Sequence, residues 1–194
     1  MNLNLRIFLF SLFCSFPAWI LLWRLFNDDL GANPVEFLQH DTGDWTLYFL
    51  LLSLSISPIQ KHFKPNWNRW FMPMHLTRRV LGLSAFCYAL LHLTTYFVFD
   101  MELSLLASLE DIIERPFILI GMLSLLMLIP LAITSTAGWQ KRLKSRWQKL
   151  HKATYFLTFL GILHYALLVK ADLWQPILYM TLFAILMLFR IKKT

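Results

Sequence analysis

Two cysteines in 194 residues, Cys14 and Cys87, both lie inside apolar runs. They suit small apolar packing and give no disulfide framework. No G-x-G-x-x-G and no P-loop occurs, so the chain is not expected to bind a dinucleotide in a Rossmann fold of its own. No Asp, Glu or Lys is expected deep in an apolar run, which weakens an ion- or proton-coupled transporter. Charged residues make up 15% of the chain against 58% hydrophobic, too little polar surface for a dissolved domain. No internal repeat stands out.

What is present is a series of long apolar runs. About 20 apolar residues span a bilayer, and six candidates follow: 5–26, 45–59, 80–99, 117–137, 152–169 and 174–190. The runs are continuous where barrel strands would alternate, so they are helices. The expectation is an all-α polytopic membrane protein, a six-transmembrane-helix bundle forming one domain over 1–194.

The net charge of +7 invites a nucleic-acid reading that its distribution rejects. Of 18 Lys and Arg, all but Arg24, Arg115 and Lys170 fall at Arg6 or within 61–79, 141–152 and 190–193. The 11 acids fall elsewhere, in 27–44, 100–116 and 170–173. With six spans the two sets lie on opposite sides of the membrane. Basic loops stay in the cytoplasm, so the N- and C-termini are expected to be cytoplasmic. The first run is long and lacks a small-residue cleavage site, so it reads as a span and not a removed signal. Six tryptophans (Trp45, Trp67, Trp70, Trp139, Trp147 and Trp174) sit near span ends, at headgroup level.

In the acidic loop 27–44, Pro34 is placed to open a short helix capped by Asn33, with Val35, Phe37 and Leu38 on the membrane surface. His40 reads there as a solvated loop residue. Span 2 is expected to close at Ser57-Pro58. The cytoplasmic stretch 60–79 is basic with interleaved aromatics. It reads as an interfacial segment or as a docking surface for a flavin or its carrier. Pro130 should kink span 4.

Histidines at membrane depth carry the chemistry. His92 lies 13 residues after Arg79, and His164 lies 13 after His151. Arg79 and His151 both mark a cytoplasmic edge. At 1.5 Å per residue each inner histidine is about 20 Å deep in a core of about 30 Å. Two imidazoles level on parallel helices can clamp one haem from both faces, which leaves no open position and favours electron transfer. Ala85 and Ala89 share the His92 face, and Gly161 lies one turn from His164. These small residues make room for a flat macrocycle, or in the alanines' case for helix contact. No C-x-x-C-H occurs, so the haem would be non-covalent, b-type.

At the cytoplasmic edge the alternatives stay open. His151 and His164 face different ways on an ideal helix. His151 could hold a second haem, with His75 swinging in as partner, or hydrogen-bond a propionate or flavin. Arg78 and Arg79 could neutralise a haem propionate or a flavin phosphate, or be topology charges alone. His62 carries no signal.

GANPVEFLQHDTGDW, RRVLGLSAFCYALLHLTTYFVF, RPFILIG, PLAITS and WQKLHKATYFLTFLGILHY, in that order, resemble the MsrQ (YedZ-type) family of ferric-reductase-like transmembrane cytochromes. The resemblance runs from about residue 31 to 170 and implies b-type haem, associated FMN and electrons taken from the quinone pool. It implies delivery to a periplasmic molybdopterin-dependent methionine-sulfoxide reductase, from a site in the bacterial inner membrane. Carried over by position, His92, His151 and His164 are the haem-ligand candidates. The wider ferric-reductase pattern has two histidines on each of two helices, and the inner one on span 3 is missing here. The competing expectations are a similar cytochrome fed by a cytosolic flavin reductase, and a cofactor-free scaffold.

Overall fold

The computed structural model describes residues 2–63, 72–169 and 172–191; most of the basic-aromatic stretch 60–79 lies outside them. Among the described residues every regular element is helical: α1 (Leu3–Phe26), α2 (Pro34–Phe63), α3 (Met74–Thr95, extended by a π-helical turn Tyr96–Asp100), α4 (Leu105–Glu114), α5 (Pro116–Ile133), α6 (Ala137–Leu143), α7 (Ser145–His151), α8 (Ala153–Leu168) and α9 (Trp174–Ile191). Leu3–Phe26, Met74–Asp100 and Pro116–Ile133 are long and apolar enough to cross a membrane, and Trp174–Arg190 is a shorter apolar helix.

The second element departs most from expectation. Asn33 does cap it: its carbonyl oxygen accepts from the Glu36 amide (3.3 Å) and its amide donates to Glu36 (2.7 Å). The helix then runs without a break through Gly43 and past Ser57-Pro58 to Phe63. Packing overrides the local breakers here. Phe49, Leu50 and Ile56 of α2 join Val80, Leu81 and Ala85 of α3 in one buried core, and contact along a whole helix face outweighs about 1 kcal/mol for a glycine. Leu38, expected on the membrane surface, is instead buried with Leu21 and Leu30.

α1 holds its own proline by borrowing a side chain. Pro17 lies inside the helix and disturbs the ladder beside it. The Tyr88 hydroxyl of α3 enters the gap, accepting from the Ala18 amide (2.9 Å) and donating to the Cys14 carbonyl (3.2 Å).

The acidic 100–116 and basic 138–150 stretches, expected as loops, hold α4, α6 and α7. Each of α4 and α6 starts at a side-chain cap: Ser104 accepts from the Ala107 amide and Thr136 from the Trp139 amide. Pro130 falls in the last turn of α5, where Thr134 donates to its carbonyl (2.7 Å). Ser124 of α5 donates to the Leu157 carbonyl of α8 (3.0 Å), and the Tyr179 hydroxyl of α9 donates to Asp44 of α2 (2.8 Å). These bonds tie the bundle across helices where apolar contact alone is weakly directional.

Candidate functional site

α3 and α8 bring His92 and His164 to the lining of one cleft, which Ala89, Gly43, Gly121 and Gly161 also line. The two ring centres are 6.1 Å apart with planes at 79°. His92 Nδ1 lies 3.0 Å from the Gln39 carbonyl and 3.3 Å from Thr42 Oγ1. His164 Nδ1 lies 2.6 Å from the Phe117 carbonyl. A carbonyl only accepts, so in each ring Nδ1 carries the proton and Nε2 keeps its lone pair. Two metal–nitrogen bonds of about 2 Å plus about 1 Å from each nitrogen to its ring centre sum to about 6 Å. The separation therefore fits one metal between two imidazoles. Among the described residues no group of three or more His, Cys, Asp or Glu can hold a bare metal ion. Two imidazole nitrogens would suit a metal already carried by a macrocycle.

Glycines let the rings sit where they do. A Cβ at Gly121 of α5 would stand 2.9 Å from His164 Nδ1 and 3.2 Å from its Cγ, and one at Gly43 would stand 3.4 Å from the His92 ring. Gly161 lines the cleft as expected, but its close neighbour is Leu47, 3.2 Å from the position of a Cβ. Ala89 lines the cleft and also packs against the α2–α3 core, in which Ala85 is wholly buried. Sequence reasoning missed Gly43 and Gly121. For Gly121 the available signal was a glycine interrupting an apolar run; Gly43, in the polar stretch His40–Asp44, carried no such signal. His40, expected in solvent, is half-buried, lines the cleft and meets Tyr165 edge-on at 5.9 Å. Asp44 lines it too, bound by Tyr179.

His75, Arg78, Arg79 and His151 meet at a second cleft of about 480 Å³, together with Trp147 and Arg190. His75, Arg78 and Arg79 are exposed. His151 Nε2 lies 3.1 Å from Thr134 Oγ1. That hydroxyl already donates to Pro130, so His151 donates to it and only Nδ1 retains a lone pair. Trp147 stacks on the imidazole at 4.0 Å. His151 and His164 thus line different clefts; α7 ends at His151 and α8 begins at Ala153, so the two do not share the one continuous helix that the phase expectation assumed. Arg190 was not expected at this site; with no motif around it, it read as a tail charge.

The ferric reductase like transmembrane component family matches residues 42–162. The chain belongs to that family, among its MsrQ members. A relative from Herminiimonas arsenicoxydans is 48% identical over 85% of this chain and 74% of its own length. One from Caulobacter vibrioides is 42% identical over 92% and 82%, and one from Xanthomonas euvesicatoria pv. vesicatoria is 41% identical over 89% and 76%. Each of the three is named protein-methionine-sulfoxide reductase heme-binding subunit MsrQ. The matched family segment contains His92 and His151, with His164 just beyond its end, while α1 and the whole of α9 lie outside it.

Proposed function

We propose that this chain is the haem-binding membrane subunit of a methionine-sulfoxide reductase system, with one b-type haem held between His92 and His164. The observation that carries the reading is the pair of imidazoles 6.1 Å apart with both Nδ1 positions tied to backbone carbonyls. A haem bound there supplies one-electron carriage. The chain's own residues do the rest. The Gln39 and Phe117 carbonyls fix ring tautomer and direction, Gly43 and Gly121 allow the approach, and the apolar helices exclude water. Of the candidate ligands, His151 is the least suited, because its Nε2 is spent on Thr134. Its role in this reading is to hydrogen-bond a cofactor at the second cleft.

The same reading gives six spans in the bacterial inner membrane with both termini cytoplasmic, on the strength of the Lys/Arg distribution. Electrons enter from the quinone pool and leave to a periplasmic molybdopterin-dependent methionine-sulfoxide reductase. FMN would be held at the second cleft, where Arg78 and Arg79 would supply positive charge for its phosphate. Those cations and the stacked Trp147 also favour a second donor, a cytosolic flavin reductase docking on the basic side.

Purified protein should show a Soret band and a reduced α band with one haem per chain. Reduction by quinol, compared with reduction by NADH plus flavin reductase, separates the two donors. A preparation that binds no haem when haem is added would leave the cofactor-free scaffold as the reading.

A further inference from the structure

The second cleft holds a charge imbalance that its own residues do not resolve. Arg190, near the end of α9, does not turn to water as a helix-end arginine in a membrane protein usually does. It folds inward across the bundle, donating to the Leu54 carbonyl of α2 (2.6 Å) and to the Tyr155 hydroxyl of α8, with its guanidinium 4.7 Å above the Tyr155 ring. Its Nε–H is buried and has no hydrogen-bond partner among the described residues. Arg78 lines the same cleft as Arg190. Arg79, His75 and Lys152 line the same cleft, and among the described residues no Asp or Glu does. Arg190 is the half-buried member of this set and the others are exposed, and gathering like charges about a half-buried guanidinium with no counter-ion is unfavourable. Such an arrangement is stable when an anion occupies it.

We propose that Arg190 is a phosphate-binding residue of this cleft, closing with Arg78 on the phosphate monoester of a mononucleotide whose planar ring lies toward Trp147. This rests on the flavin reading above and adds to it a residue from the last helix. A planar fork with five donors matches a phosphate where a lysine offers a point charge. Tyr155 and the Leu54 carbonyl hold that fork in place before the ligand arrives. An anionic lipid headgroup shares the same phosphate chemistry, so the test must separate the two.

The test uses the full-length, haem-loaded protein in lipid nanodiscs, with binding read by quenching of flavin fluorescence. In phosphatidylcholine discs the wild-type protein should bind FMN roughly 10- to 100-fold more tightly than riboflavin, the value of a charge-assisted hydrogen bond or two. Arg190→Gln should remove most of that preference, leave riboflavin binding as it was, and leave the haem spectrum unchanged. Arg190→Lys should retain part of it, and serves in place of the Gln variant if that one does not fold. A preference for FMN that Arg190→Gln leaves intact overturns the assignment of Arg190 while sparing the flavin site. Wild-type protein that binds neither flavin sinks the flavin reading and this inference with it. FMN binding that vanishes when phosphatidylglycerol is added to the discs, in wild type only, assigns the phosphate pocket to lipid and overturns the mononucleotide.

Discussion

Replacing Gly121 by alanine tests whether the His164 ring is held against α5 by design of the packing. The added Cβ would stand 2.9 Å from Nδ1, 3.0 Å from Cε1 and 3.2 Å from Cγ. Cγ is the root of the ring, so turning the imidazole about its own axis cannot relieve all three contacts. The side chain must move as a whole by several tenths of an ångström. That movement breaks the 2.6 Å bond from Nδ1–H to the Phe117 carbonyl and moves the ring relative to His92. Loss of an outer-sphere partner of this kind costs about 10- to 100-fold in metal affinity, or about 1.4–2.7 kcal/mol. The assay is haem titration of the apo-protein, followed in the Soret band, with low-temperature electron paramagnetic resonance to report axial geometry. Gly82→Ala is the control: nothing lies within 4 Å of its Cβ position, so it should leave haem affinity alone. Gly43→Ala, at an ordinary 3.4 Å from the His92 ring, should fall between them. Equal haem affinity and equal spectra for Gly121→Ala and Gly82→Ala would refute the reasoning.

His92→Ala and His164→Ala should each abolish the low-spin haem spectrum, whereas His40→Ala, at a cleft residue that meets Tyr165 edge-on, should retain it by absorption spectroscopy. Tyr88→Phe leaves the Ala18 amide and Cys14 carbonyl of α1 without their bridge. It should cost about 1–3 kcal/mol, seen as a lowered detergent-denaturation midpoint. Tyr179→Phe strips Asp44 of its phenol donor and should cost a similar amount; the double variant with Asp44→Asn should recover part of it, as a thermal-shift cycle would show. Ser124→Ala removes one cross-helix bond to Leu157 and should cost only about 0.6 kcal/mol by the same assay.

Much of this chain is readable from local pattern. Continuous apolar runs can only be helices in a bilayer, because lipid offers no partner to an unpaired backbone group. The helical character of α1, α3, α5, α8 and α9 followed from that alone. The depth arithmetic from Arg79 and His151 put His92 and His164 level with each other, since rise per residue is a property of the helix and not of its neighbours. Side-chain chemistry then made two imidazoles a pair worth finding.

The tertiary structure decided what depends on contacts distant in sequence. Pro34 and Asn33 announced a helix start, but whether α2 would stop at Gly43 or Pro58 turned on its burial against α3, which no local signal contains. With α2 continuous, His40 and Asp44 moved from a solvated loop into the cleft wall. The Phe117 carbonyl is 47 positions from His164, and Gly121 has meaning only because that ring lies against it. Arg190 looks like one more tail charge until α9 packs back on α2 and α8 and turns it inward. Periodicity sets which way a residue faces on its own helix; which partner it meets there is set by the docking of whole helices.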